Sequence, residues 1–196
     1  MASLRARQKQ QTRELLLEAG LGLFGQKGYT ATTIDEIVAR AGTTRATYYL
    51  HFASKADLVK ALIGRADAIL TAVDDPPLAD VIARGSRELV ERYLDRKFDQ
   101  WTDIRPYLIA ADQAAPSEPD VAEVIERWFA HTADAMHTGL DRAGRFEAEA
   151  RRVRCVLAFG QLEFLSRRWF RSGWTVPREI CLRTLTDAWC ALLIDE

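Results

Sequence analysis

The chain has 196 residues, 48% apolar and 28% charged, with 11 Gly and 6 Pro. That length suits one large domain or two small ones sharing a core, and the balance excludes a disordered, collagenous or low-complexity chain. With 27 Lys and Arg against 28 Asp and Glu the net charge is −1, which at first argues against a phosphate-rich partner. Divided after residue 60, however, it becomes +4 (nine basic, five acidic) and −5 (18 basic, 23 acidic), an asymmetry that suggests an anionic partner for one end alone. The three cysteines, Cys155, Cys181 and Cys190, are odd in number and lack C-x-x-C or zinc spacing, which suits a reducing compartment. Glu14 and Glu18 bracket Leu15, Leu16 and Leu17, leaving no signal-peptide core, and no apolar run approaches the ~18 residues of a membrane helix. The expected location is the cytoplasm.

Helical periodicity dominates the chain, with breakers at Gly28, Gly42, Ala53-Ser54, residues 74–77, 116–119, Gly144 and 173–177, giving an all-α fold of about nine helices. A first helix carries Leu16 to Phe24, preceded by Arg5, Arg7, Lys9 and Arg13 with no acid before Glu14. These cations read either as an arm that adds phosphate contacts or as a tail of solvated charge. Gly20 and Gly22 inside this helix cost about 1 kcal/mol each relative to alanine and are expected to loosen it.

Thr33-Ile34-Asp35-Glu36 is a capping box that starts a second helix. Ala41-Gly42 ends it, and Thr43-Thr44 caps a third only two residues later. Two short helices across a tight glycine turn make a helix-turn-helix pattern. The second of them, residues 44–52, then enters a major groove. Arg45 suits a guanine, Thr44 and Thr47 suit bases or phosphates, and Tyr48, Tyr49 and His51 suit phosphates or thymine methyls. The plainer reading makes Tyr48, Tyr49 and Phe52 packing aromatics and Arg45 a solvated charge. Ser54-Lys55-Ala56-Asp57 caps a further helix whose start, beside a lysine, suits a phosphate.

Gly28-Tyr29, residues 32–37, Ala41-Gly42 and residues 44–58 resemble, in order and spacing, the tetracycline-repressor-like (TetR) family of bacterial transcriptional regulators. The resemblance covers about residues 12–62, and beyond them it extends only to length and helical character. It implies an all-helical homodimer, with N-terminal three-helix domains in successive major grooves of a palindromic operator and C-terminal domains that dimerise and bind an inducer. By position, Tyr49, His51 and Lys55 match the family's phosphate-contacting residues, Thr44, Arg45 and Tyr48 its base-reading surface, and Thr33 its phosphate-anchoring helix start. Thr43 and Ala46 depart from the valine and the glycine or small residue usual at those places. The domain boundary is expected after residue 53, residues 54–196 forming the regulatory domain and the helix from 54 linking the two.

In that regulatory half, three long helical stretches are expected, from Pro119, from Glu147 to Ser172 and from Pro177 to Ile194. Trp101, Tyr107, Trp128, Phe129, Met136 and Phe159 are the candidate pocket lining, with His131, Gln161 and Glu163 as polar anchors for a hydrophobic or aromatic inducer. Leu157, Gly160, Phe164, Leu185, Ala188, Leu192 and Leu193 are the candidate dimer surface on the last two helices. Asp95, Asp99 and Asp103 recur every four residues, yet Arg92 and Arg96 nearby favour a salt-bridged face over a metal site. No metal or other cofactor is expected. There is no H-E-x-x-H, G-x-S-x-G, phosphate loop or dinucleotide fingerprint, so no enzyme is expected either. A helical small-molecule carrier or enzyme without DNA regulation is the alternative.

Overall fold

The computed structural model describes residues 4–72 and 74–194, and among them nine α-helices and no strand. They are α1 (Leu4–Lys27), α2 (Ile34–Arg40), α3 (Arg45–Tyr49), α4 (Lys55–Thr71), α5 (Leu78–Arg84), α6 (Arg87–Ala114), α7 (Pro119–Ala143), α8 (Ala148–Ser172) and α9 (Arg178–Leu193). No helix among the described residues is long and apolar enough to cross a membrane.

The chain forms two compact units, one of residues 1–68 with 104–126, the other of residues 69–103 with 127–196. These limits differ from a single cut after residue 53, because α4, α6 and α7 each contribute to both units. The core of the first unit is Leu16, Leu17, Phe24, Ile37, Tyr48, Phe52, Leu58 and Leu62, all almost fully buried. That of the second centres on Val81, Ile82, Leu94, Met136, Leu140, Ala158 and Trp189. The stripe expected on α7 is present, with Val121, Met136 and Leu140 buried and Trp128 and Phe129 half-buried.

α1 begins at Leu4, so the basic arm is the first turns of a helix and not a tail. Gly20 on this helix does more than loosen it. It is buried, and a Cβ there would stand 2.9 Å from the Leu58 side chain, so the missing side chain lets α4 lie close.

α2 starts as its sequence dictates. Thr33 accepts from the Glu36 amide at 3.3 Å, and Glu36 accepts from the Thr33 amide at 2.9 Å. The Lys27 ammonium and the Thr33 amide and hydroxyl hold the Glu36 carboxyl down at about 2, so the box stays charged at any physiological pH. α2 ends in a Schellman motif, in which the Gly42 amide donates to Ala39 O and the Thr43 amide to Val38 O, at 3.3 and 2.9 Å. Gly42 has φ +65, which glycine adopts without a Cβ penalty. Thr44 follows at once as the cap of α3, accepting from the Thr47 amide at 3.2 Å.

Candidate nucleic-acid interface

α3 is only five residues long, and its two ends are held differently. At its start, Thr44, Arg45 and Ala46 are exposed. Arg45 Nη1 donates to both oxygens of Asp35 on α2 at 3.0 Å, and its Nη2 donates to the Tyr49 hydroxyl at 3.3 Å. Asp35 and Tyr49 thus hold the guanidinium over the outer face of α3, with its charge further secured by both bonds. Tyr49 is 48% exposed, so its ring edge and hydroxyl are open to a partner. The Thr44 and Thr47 hydroxyls lie 3.0 Å apart at the start of the same face.

Tyr48 does not belong to this surface. Expected among the base-reading residues, it is fully buried, with its ring 5.6 Å from that of Phe52 and its hydroxyl donating to Ser54 O at 2.9 Å. Burial raises its pKa beyond the usual phenol range. Consecutive helical side chains diverge by about 100°, so an α3 that presents Tyr49 outward turns Tyr48 into the core.

Lys55 has an internal task besides any external one. Its ammonium donates to Tyr29 O at 2.7 Å and Thr32 O at 2.8 Å and sits 4.0 Å from the centroid of the Tyr29 ring. It ties the turn after α1 to the start of α4, and burial lowers its pKa. An ammonium has three donors, so one N–H remains for a phosphate. The cap of α4 is closed by reciprocal bonds, Ser54 Oγ accepting from the Asp57 amide and Asp57 accepting from the Ala53 amide.

His51, half-buried at the end of α3, shares a cleft of about 350 Å³ with Leu50 and with Gln8, Lys9 and Thr12 of α1. Its Nδ1 is shielded from solvent and has no hydrogen-bond partner. Burial, then Lys9 and Arg13, lower the imidazole pKa, so the ring is neutral at pH 7. Arg5 and Lys9 stand four residues apart on α1, about 6 Å along the helix axis. Gln8 and Thr12 were not among the sequence candidates, since their place beside α3 depends on how α1 packs. The structure therefore gathers Thr44, Arg45, Thr47 and Tyr49 on one exposed surface around α3, and places His51 at the end of that helix in the cleft with Lys9. Thr33 is exposed at the start of α2. Tyr48 lies apart in the core.

Elsewhere the candidate residues separate. Tyr107 belongs to the first compact unit and the other pocket candidates to the second. Phe129 packs against Trp128 and Phe159 at 5.4 and 5.6 Å. Trp101, 2% exposed, lies instead in a group with Phe98, Trp169, Phe170 and Trp174. Met136 is in the core and Glu163 is half-buried. His131 and Gln161 are exposed on the outer sides of α7 and α8, facing away from the interior where an anchor must stand.

On the last two helices, Leu157 and Phe164 are 53% and 66% exposed, whereas Leu185 and Leu193 are buried against their own chain and offer no free surface. Gly160, Ala188 and Leu192 are half-buried. Val153 and Val156, 52% and 51% exposed, extend the apolar face of α8 that spacing alone had left out. Of the α6 acids, Asp95 and Asp99 are paired from α9, by Arg178, and not by Arg92 or Arg96. No cluster of metal ligands occurs among the described residues.

Residues 16–62 match the family model for bacterial regulatory proteins of the tetR family. The chain is 41% identical over 58 residues to the HTH-type transcriptional regulator AcrR of Shigella flexneri, covering 30% of this chain and 27% of AcrR. It is 43% identical over 54 residues to the regulator TtgR of Pseudomonas putida, covering 28% of this chain and 26% of that one. The chain thus spans only about a quarter of the length of these regulators. In three dimensions it is similar to NalD of Pseudomonas aeruginosa, the secondary repressor of the MexAB-OprM multidrug efflux pump, with a TM-score of 0.72, 18% identity and coverage of 97% and 99% of the two chains. Residues 16–62, which hold the helix-turn-helix, thus match the tetR family of bacterial regulatory proteins, and the fold is shared with NalD over nearly the whole length of the chain.

Proposed function

We propose that this protein is a ligand-responsive repressor, cytoplasmic, that binds a palindromic operator as a homodimer and is released by a small hydrophobic or aromatic inducer. The observation that carries the reading is the exposed Arg45, held by Asp35 and Tyr49 on a capped three-helix frame and backed by the cations of α1. Residues 1–53 are the DNA-binding domain in this reading and residues 54–196 the regulatory one. That NalD is itself a repressor favours repression over activation. The apolar outer face of α8, with Val153, Val156, Leu157 and Phe164 exposed, supports a pairing of copies through their last two helices. Release then follows if the inducer prefers a dimer geometry whose reading helices no longer match the half-site spacing, because only differential affinity shifts such an equilibrium.

The test is retention of DNA from the gene's own upstream region at rising salt. Specific binding is expected, with log affinity falling linearly in log salt at a slope of roughly −0.9 for each phosphate neutralised. Failure to retain any genomic fragment at low salt sinks the reading. Light scattering that gives a mass near one chain of 22.1 kDa at micromolar concentration sinks the dimer.

A further inference from the structure

The chain leaves the first compact unit after residue 68, returns to it at residue 104 and leaves again after residue 126. The returning stretch is the corner between α6 and α7. Within the unit it has no chain connection to residues 1–68, so side chains and packing alone hold it there. Ala114 on one arm of the corner and Val121 on the other are fully buried. Beyond the corner, both helices run on into the second unit.

The corner grips Tyr29, a buried residue of the turn after α1. The Tyr29 amide donates to Gln113 Oε1 at 3.0 Å and its hydroxyl to Glu118 Oε1 at 2.7 Å, so two points of the corner hold one residue. Burial, then Glu118, raise the phenol pKa beyond its usual range, and the hydroxyl therefore donates at any physiological pH. The other side of Tyr29 holds Lys55, whose ammonium donates to Tyr29 O at 2.7 Å and sits 4.0 Å from the ring centroid. Tyr29 thus stands between the corner and the lysine at the start of α4. A further tie, from Lys60 to Asp120 at 2.7 Å, is open to solvent and contributes little.

We propose that Tyr29 is the positioning residue through which the α6–α7 corner sets the Lys55 ammonium, so that a shift of α6 or α7 in the second unit is felt at the DNA-binding surface. A displaced corner pulls on the Tyr29 amide and hydroxyl, and the Tyr29 carbonyl and ring carry the displacement to Lys55. The remaining N–H of that ammonium then no longer meets its phosphate. α4 links the two units along the chain, and the grip on Tyr29 adds a link that can be cut without cutting a helix. This names the regulation of the DNA-binding surface and rests on the ligand-responsive reading given above.

Coupling between two sites is reciprocal, so DNA held by the first unit must be felt in the second even without an inducer. The test is amide hydrogen exchange of the full-length protein, alone and with saturating DNA from the gene's own upstream region. In the wild type, DNA is expected to slow exchange over residues 87–103 and 127–143 by about fivefold or more. The double variant Tyr29→Phe with Gln113→Ala removes both bonds of the grip. It is expected to keep the protection by DNA over residues 28–62 and to lose it in those two segments. Glu118→Gln keeps the accepting oxygen and is expected to behave as the wild type. A clamp of purely structural use would lower the melting temperature of the double variant and leave the spread of protection as it was. That result overturns the proposal, as does a wild type whose two segments DNA leaves unchanged.

A second arm needs no DNA. A Cβ on Gly139 would stand 2.6 Å from Ala79 O and 2.7 Å from the Ile82 side chain, so Gly139→Ala forces α7 away from α5 inside the second unit. In the otherwise wild-type protein it is expected to speed exchange about fivefold at the Thr32 amide, which donates to Tyr29 O at 3.2 Å. In the double variant it is expected to leave that amide unchanged. No response at Thr32 in the otherwise wild-type protein, or an equal one in the double variant, overturns the proposal. Each arm decides without the other. A wild type that retains no DNA sinks the regulator reading, and the Gly139→Ala arm still decides the grip on Tyr29.

Discussion

Replacing Tyr48 by alanine is expected to unfold the DNA-binding unit at a denaturant concentration well below that needed for the wild type, at a cost of about 3–5 kcal/mol. The ring is fully buried, packs against Phe52, and closes α3 onto the start of α4 through the bond from its hydroxyl to Ser54 O. Tyr48→Phe isolates the polar part. It removes the hydroxyl, but Ser54 O keeps the amide of Leu58 at 3.4 Å, so no carbonyl is orphaned and the cost is about 1 kcal/mol. Operator affinity of Tyr48→Phe is expected to stay within about twofold of the wild type, because a hydroxyl directed into the core touches no DNA. A tenfold loss of affinity with unchanged unfolding would restore Tyr48 to the reading surface and sink this account.

The contrast between Tyr48 and Tyr49 shows what sequence does and does not disclose here. The caps were legible because their chemistry is local: Thr33 with Glu36, Thr44 with the amide three residues on, and Gly42 at the turn all act within a few positions. The helical fold and the long amphipathic helices followed from periodicity for the same reason. A usable signal for Tyr48 existed as well, since Tyr48 and Phe52 stand four apart and share a helix face, and two aromatics on one face are core more often than reading surface. Long-range partners had no such signal. Arg178 lies 83 and 79 positions from Asp95 and Asp99, and spacing along α6 pointed to Arg92 and Arg96 instead. Only the packing of α9 against α6 decides that competition. The pocket candidates failed similarly. Aromatic residues on successive helices look alike in sequence, whereas in the fold Trp101 and Phe129 join different clusters and His131 and Gln161 turn outward.

Arg45→Ala is expected to leave stability nearly untouched and to cut operator affinity steeply. Its pair with Asp35 is open to solvent, with side chains 56% and 65% exposed, and exposed ion pairs contribute only about 0–1 kcal/mol. A bidentate contact to a guanine, by contrast, contributes roughly 1–3 kcal/mol of discrimination. A dimer on a palindrome makes that contact twice, so the loss doubles to roughly 2–6 kcal/mol, a factor between about 30 and 10⁴ in affinity. The pattern of the loss separates the two tasks open to this guanidinium. If Arg45 reads a base, the alanine variant loses its preference at one symmetric pair of operator positions and keeps its salt dependence. If Arg45 holds a phosphate, binding weakens evenly across sequences and the salt slope falls by about one for each half-site. Asp35→Ala is the complementary variant. It removes the carboxylate that holds the guanidinium in place and a negative charge from a surface that must face phosphates. Affinity for unrelated DNA is therefore expected to rise while the ratio of operator to unrelated binding falls. Equal changes on both DNAs would show that Asp35 acts only through its charge and not by positioning Arg45.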